Sequence, residues 1–356
     1  MDHQTELARR GRILTGHRPT GPRHIGHLVG TLEHWARLQD STECFFLVAD
    51  LHVLTTDYEH PARIQANVLE VVADWLAAGI DPARSTLVLQ SAVPEHPYLM
   101  TLLGMLVTVA RLERVPTYKE QVQQLGLQPS LGLLSYPVLQ AADILIYKAT
   151  TVPVGEDQLP HVELAREIAR RFNQAYGETF PEPEALVSRL PRLPGVDNRT
   201  MHTSYGNAIF LKDSPEETTR KVMNMYTDPT RIHATDPGHV EGNPVFTYLD
   251  AFDLDRAGVA EMKARYRAGK LGDVEAKRHL AQALNDYLAP LRQRRAGFMS
   301  RPDELRGLLL AGTERARSLA AATLAEVQAK MGLRRDRAQP GDPTELSINL
   351  NFTRRE

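Results

Sequence analysis

The sequence predicts an α/β fold: a Rossmann-like, doubly wound parallel sheet that carries the catalytic site, followed by a C-terminal helical domain. Three observations predict it. Up to Leu89, short apolar runs alternate with segments of helical spacing in the order β-α-β-α-β. The runs are continuously apolar, as in a parallel strand buried on both faces. From Ser214 to Leu333 nearly every segment reads as helix. A chain of 356 residues is long enough for two or three core-bearing units.

Arg12-Ile13-Leu14-Thr15 form the first apolar run, which stops at Gly16 and reads as the first strand. The turn-rich Arg18-Pro19-Thr20-Gly21-Pro22 follows. Ile25, Leu28, Val29, Leu32, Trp35 and Ala36 then recur at helical spacing. Cys44 to Ala49 is the second strand. Ile64, Val68, Val71, Val72 and Trp75 mark a helix closed by Gly79, and Thr86 to Leu89 the third strand. The middle of the chain is more helical. Leu139, Ile144, Leu145 and Tyr147 place a helix over Pro137–Lys148, and Val162, Ala165, Ile168 and Phe172 one over Pro160–Tyr176. Thr151–Val154 reads as a short strand between them, and Pro181–Gly206 as a loop rich in Pro and Gly.

Ser214-Pro215-Glu216-Glu217 is a capping box with proline at the first helical position. The polar tail 334–356, punctuated by Pro340, Gly341 and Pro343, is expected to be mobile. Within it the alternation of Leu346 to Phe352 could add a strand to an exposed edge. There is no convincing internal repeat. The expected division is 1–206 for the sheet domain, with a helical insertion at about 102–134, then 207–333 for the helical domain.

Hydrophobic residues make up 42% of the chain and charged residues 24%, ordinary for a soluble globular protein. No stretch approaches the roughly 18 uncharged apolar residues a membrane span needs. The segment Met1-Asp2-His3-Gln4-Thr5-Glu6 lacks the basic and apolar regions of a secretory signal. The single cysteine, Cys44, excludes an intramolecular disulfide and a thiolate zinc cluster. A cytoplasmic protein is expected, with no metal held by its own side chains. The net charge is only −2, but residues 251–330 carry 15 Lys+Arg against 10 Asp+Glu. That excess suits docking of a phosphate backbone. A solvated helical face explains it equally.

The strongest local signal is His24-Ile25-Gly26-His27, at the start of the first helix. A helix N-terminus offers unpaired N–H groups and a positive dipole to phosphate. Gly26 admits a ligand close to the backbone, and the two imidazoles can donate hydrogen bonds to phosphate oxygens. Four such residues also recur by chance, so the context matters. Read as a unit, Gly16 to Gly30 resembles the first signature of the class I aminoacyl-tRNA synthetases. Tyr136-Pro137-Val138-Leu139-Gln140-Ala141-Ala142-Asp143-Ile144-Leu145 and Val152-Pro153-Val154-Gly155-Glu156-Asp157-Gln158 resemble the tryptophanyl branch of that family in its bacterial form. The resemblance runs in order over about residues 10 to 333, including Asp50-Leu51-His52, Asp228 and the Asp236-Pro237-Gly238 to Asn243 stretch.

The resemblance implies a tryptophan--tRNA ligase that forms tryptophanyl adenylate from L-tryptophan and ATP, with Mg²⁺, and passes it to tRNA(Trp). It implies that Asp143 accepts the indole N–H. An acceptor-only carboxylate suits a donor-only ring and rejects an analogue lacking that donor. Val152 and Val154 would line the indole slot. Tyr136 and Gln158 would hold the ammonium and carboxylate, with Gly16, His52 and Gln140 nearby. His24, His27 and Ser204 would act at the reacting phosphate. Arg18, Thr20, Gly26, Gly155, Asp157, Met201, His202 and Thr203 would complete the ATP site. Residues Ser214 to Leu333 would read the tRNA anticodon, with Arg292, Arg294 and Arg295 as candidate contacts. The 102–134 segment would form a homodimer.

The mobile family loop Lys-Met-Ser-Lys-Ser is here Thr200-Met201-His202-Thr203-Ser204, without either lysine. Gln121 stands where bacterial relatives often place another lysine, Arg18 where they place glutamine, and Leu14 where they place phenylalanine. Adenylate formation needs positioning and charge stabilisation rather than an enzyme nucleophile. Activity is therefore expected to be reduced but not absent, with Mg²⁺, Arg18, Arg199 or His202 replacing the lost charge. Three other readings stand beside this one: a tyrosyl-specific relative, a small nucleotidyltransferase, and a second-copy synthetase acting as a tryptophan- or tRNA-binding regulator or adenylate supplier.

Overall fold

A computed structural model describes residues 11–333 apart from 126–128, 188–192, 202, 232 and 234. The expectations for the 334–356 tail, including the strand at 346–352, lie outside the described residues. The five strands are β1 (Arg12–His17), β2 (Glu43–Val48), β3 (Ser85–Leu89), β4 (Thr151–Val154) and β5 (Glu184–Val187). They form one sheet in the order β3-β2-β1-β4-β5. Every pairing is parallel.

The pleat sorts the apolar runs onto two faces. Ile13, Cys44, Phe46, Val48 and Leu87 join one core with Leu28, Leu32, Trp35 and Trp75. Leu14, Phe45, Leu47 and Val88 join a second with Leu99, Ile144 and Ile168. Helices cover both faces, so neither set of side chains reaches water. That is why the strands read as continuous runs.

Four local expectations are corrected. β1 does not stop at Gly16 but runs through His17, with Gly16 paired to Leu47. A Cβ on residue 16 would lie 2.0 Å from the Leu47 carbonyl oxygen; the glycine marks a close approach of backbones, not a chain break. β5 lies inside the stretch read as a loop, where four residues at a sheet edge leave too little pattern to detect. The helix expected from Pro137 is Leu131–Ile146, opened by Ser130, whose hydroxyl accepts from the Leu133 N–H at 3.0 Å. Finally, the C-terminal part is not continuously helical. Between the helices Pro215–Met223 and Pro244–Phe252, Asp228 organises a turn, accepting from the Thr230 N–H at 2.9 Å and the His239 N–H at 3.0 Å.

The first helical segment spans 25–38 and changes register on the way: α over Ile25–His27, π over Leu28–Leu32, α over Glu33–Leu38. Ser214 caps the Pro215–Met223 helix as expected, its hydroxyl accepting from the Glu217 N–H at 3.1 Å. Helices Arg256–Arg267, Asp273–Met299 and Pro302–Lys330 follow among the described residues. The last of these returns to the sheet and covers edge strand β3. Thr313 accepts the Leu89 N–H at 3.0 Å, and a Cβ on Gly312 would lie 2.3 Å from the Leu87 carbonyl. The expected boundary at 206/207 falls in a segment bonded into the sheet body, where Ile25 N–H reaches Ile209 O and Leu211 N–H reaches Arg23 O. No helix among the described residues is long and apolar enough to cross a membrane.

Candidate active site at the carboxyl edge of the sheet

β1 has β2 on one side and β4 on the other. Strand order therefore reverses at β1/β4, and an open α/β sheet binds ligands in the crevice beyond the carboxyl ends at such a point. His24 to His27 follow the carboxyl end of β1, and Gly155, Asp157 and Gln158 follow that of β4. Both sets named from the sequence therefore flank one crevice.

His24 is the N-cap residue of the 25–38 segment, with extended backbone. Its N–H donates to His27 Nδ1 at 3.3 Å, and the two rings lie 3.7 Å apart. A neutral imidazole accepting at Nδ1 carries its proton on Nε2, the form that can donate to a phosphate oxygen. A Cβ on Gly26 would sit 3.0 Å from His24 Nδ1 and 3.3 Å from Met201 Sδ; one on Gly21 would sit 3.5 Å from Thr203 Cγ2. Met201 and Thr203 thus lie against the turn. The Ser204 backbone falls in a single 3₁₀ turn at Thr203–Tyr205. His202 lies outside the described residues. Thr20 is exposed.

Beneath the turn sits His17. It stacks on Trp35 at 4.6 Å, meets His27 edge-on at 5.2 Å and accepts the Trp75 indole N–H at 3.0 Å. Burial, reinforced by the charges of Arg23 and His24, pushes its pKa well below the ordinary imidazole value. Asp74 is fully buried and takes the Arg23 N–H at 2.7 Å on one oxygen and Arg295 Nε at 2.6 Å on the other. Burial raises the Asp74 pKa, and Arg295 offsets that. Arg295 also bonds Glu70, Arg294 donates to the Ala77 carbonyl at 2.8 Å, and Arg292 bonds Asn285 at 2.8 Å and Thr218 at 2.6 Å. The three arginines expected to face tRNA are therefore engaged within the chain.

Asp143, 2% exposed, lies on the Leu131–Ile146 helix. Its carboxylate accepts His52 Nε2 at 2.8 Å, His96 Nδ1 at 2.5 Å and Gln90 Nε2 at 2.9 Å from both oxygens. Burial alone would raise its pKa. The hydrogen bonds from His52 and His96 outweigh it and hold the group well below the usual carboxylate range, so Asp143 is ionised.

The Tyr136 hydroxyl meets Thr117 Oγ1 at 2.7 Å, and its ring lies edge-on to His52 at 6.3 Å. Burial pushes the Tyr136 phenol up, with Thr117 and Arg18 opposing. Gln140 Nε2 reaches Gln158 Oε1 at 3.4 Å, and Gln158 Nε2 donates to Asp157 Oδ2 at 2.8 Å. Val152 and Val154 lie on β4, and Gly155 opens the turn after it. Arg18, assigned to ATP by position, donates to Thr56 Oγ1 at 2.5 Å. Burial lowers its pKa, and the Tyr136 phenol and Asp57 raise it.

Sequence reading missed Gln90, His96, Thr117 and His161, and the positions of His17 and Asp74. One signal could have found two of them: Gln90 and His96 follow the carboxyl end of β3, where the crevice rule looks for ligands. Among the described residues, no group of three or more His, Cys, Asp or Glu side chains could hold a metal ion.

The sequence profile of the tRNA synthetases class I (W and Y) matches residues 6–289. The Tryptophan--tRNA ligase of Treponema pallidum is 51% identical over 326 residues, 90% of this chain and 97% of that one. The Tryptophan--tRNA ligase of Thermotoga maritima is 47% identical, covering 90% of this chain and 99% of that one. Among solved structures, Tryptophanyl-tRNA Synthetase from Campylobacter jejuni complexed with ADP and tryptophan aligns with a TM-score of 0.82 at 35% identity, over 90% of this chain and 100% of that one. Tyrosyl-tRNA Synthetase complexed with L-tyrosine from Archaeoglobus fulgidus aligns less well, with a TM-score of 0.63 at 25% identity over 82% and 92% of the two chains. With a crevice at the sheet's switch point and relatives matched along nearly their whole length, the chain belongs to the class I tRNA synthetases of the W and Y family, among the bacterial tryptophanyl members.

Proposed function

We propose that the protein is a tryptophan--tRNA ligase: it joins L-tryptophan to ATP as tryptophanyl adenylate, releases pyrophosphate, and transfers the tryptophanyl group to tRNA(Trp). The observation that carries the amino-acid half is the buried, ionised Asp143. An indole N–H is a donor with no acceptor function, and a desolvated carboxylate is its complement. Val152 and Val154 flank the ring, Tyr136 and Gln158 hold the ammonium and carboxylate, and Gly16, His52 and Gln140 complete the wall. A phenol would bring an oxygen that both donates and accepts, which this acceptor-only base does not select.

A carboxylate oxygen of tryptophan attacks the α-phosphorus, and the bond to the bridging oxygen of pyrophosphate breaks. His24, His27 and Ser204 act at the phosphates as donors. Thr20, Gly26, Gly155, Asp157, Met201, His202 and Thr203 frame the nucleotide, with Asp157 accepting from ribose hydroxyls. Arg18, Arg199 and His202 supply positive charge that the missing lysines do not. Mg²⁺ arrives with ATP, held by phosphate oxygens and water. Residues 207–333 read tRNA, the 102–134 segment pairs two copies, and the setting is the cytoplasm.

Tryptophan-dependent ATP–pyrophosphate exchange tests the reading, with tyrosine as control. Exchange with tryptophan alone is expected. Tight tryptophan binding without exchange would instead favour the binding-protein alternative. In the same assay, Thr200→Lys with Thr203→Lys is expected to lower the KM for ATP or raise kcat. If both constants stay put, the account of the loop is wrong.

A further inference from the structure

We propose that His96 and Tyr147 determine amino-acid specificity as positioning residues: a buried relay from Tyr147 through His96 fixes the orientation of Asp143 so that the acceptor position held by His52 is the one a ligand can take over. The proposal rests on the reading of Asp143 as the indole acceptor and adds what makes that carboxylate selective.

An ionised carboxylate has about four lone-pair positions. Three donors already occupy this one: His96 Nδ1 at 2.5 Å, His52 Nε2 at 2.8 Å, and Gln90 Nε2 shared between the oxygens at 2.9 Å. Gln90 meets both oxygens, so all four positions are filled, and an incoming N–H takes the place of the His52 contact. The three donors are not equivalent. His96 and Gln90 are 0% exposed, whereas His52 is 8% exposed and its ring faces Tyr136. His96 and Gln90 are thus the fixed supports, and His52 is the neighbour a ligand meets.

His96 is itself held in one tautomer. Its Nε2 lies 2.7 Å from the Tyr147 hydroxyl. A carboxylate only accepts, so Nδ1 carries the proton; in a neutral ring Nε2 then accepts from the phenol O–H. Tyr147 is 0% exposed, stacked on Phe45 of β2 at 4.8 Å. The order Phe45, Tyr147, His96, Asp143 runs from the sheet to the ligand-reading oxygen without a break. A carboxylate pinned on both oxygens cannot turn to satisfy itself elsewhere. An analogue with sulfur in place of the indole N–H, once it displaces His52, therefore leaves that acceptor position desolvated and unpaired. Without the relay the carboxylate can rotate away, and that penalty falls.

The test compares kcat/KM for pyrophosphate exchange with tryptophan and with β-(benzothiophen-3-yl)alanine. Wild type is expected to prefer tryptophan strongly. Tyr147→Phe, which keeps the stacked ring, should reduce that preference about fivefold, the worth of one buried hydrogen bond. His96→Leu should reduce it about tenfold or more, the worth of a bond to a charged group. His96→Asn, whose amide can donate from near the Nδ1 position, should recover most of it. The KM for ATP should stay constant throughout, since the relay does not touch the nucleotide side. An unchanged preference in Tyr147→Phe and His96→Leu, beside a selective wild type, would overturn the relay and leave the Asp143 reading intact. A wild type that does not distinguish the two amino acids would overturn both. Should His96→Leu fail to fold, Tyr147→Phe decides alone.

Discussion

His161 packs beside Tyr136 at 5.4 Å and shares a 2.6 Å contact with Thr117. Burial first, then the charge of His52, pushes its pKa down to about 4. An unfolded imidazole titrates near ~6.5, so the folded protein holds this ring neutral where the unfolded chain would protonate it. The stability it contributes is fully present above that value and is lost as pH falls through about 4. His17, also lowered by burial, acts in the same direction. We expect Tm to fall steadily between neutral pH and pH ~4, and less steeply in His161→Asn. Parallel curves for the two proteins would refute this. At this scale the signatures were legible because His24–His27 and Asp143 sit in short contiguous motifs. Gln90, His96 and Thr117 were not, because each reaches the pocket from an element of its own and carries no local pattern.

The Asp273–Met299 helix shows how an element ties distant functions together. Through Arg295 it meets Asp74 of the Pro61–Ala77 helix, and through Asp74 it meets the Arg23 N–H, one residue before His24. Removing one partner of a buried ion pair strands the other charge in a low-dielectric setting. Arg295→Ala is therefore expected to lower unfolding stability by roughly 3 kcal/mol, read by urea denaturation. A loss within experimental scatter would show that Asp74 does not depend on this arginine. Helices and strands with long apolar patterns were legible as elements. β5 was not, with four residues and one neighbour to define it. The three arginines at 292–295 carried no signal either, since a basic residue reads the same whether it faces RNA or a carboxylate inside the fold.

For the whole molecule, the segment proposed to pair two copies leaves apolar side chains uncovered: Met105 is 74% exposed, Val109 57% and Leu131 79%. Large apolar side chains left in water mark surfaces that associate. Light scattering after gel filtration is expected to give a dimer for wild type and a monomer for Leu131→Asp. A monomeric wild type would remove the dimer from the account.

By itself the sequence determined the layered α/β class, the order of its first strands and helices, the His24–His27 turn, Asp143 and the loss of both loop lysines. Those features are local: periodicity and short contiguous motifs are written along the chain. The tertiary structure decided the β3-β2-β1-β4-β5 order, the return of the last helix onto β3, the engagement of Arg295 by Asp74, and the support of Asp143 by His96, Gln90 and Tyr147. These depend on which buried charges and lone pairs find partners across long stretches of chain, and only the packed arrangement assigns them.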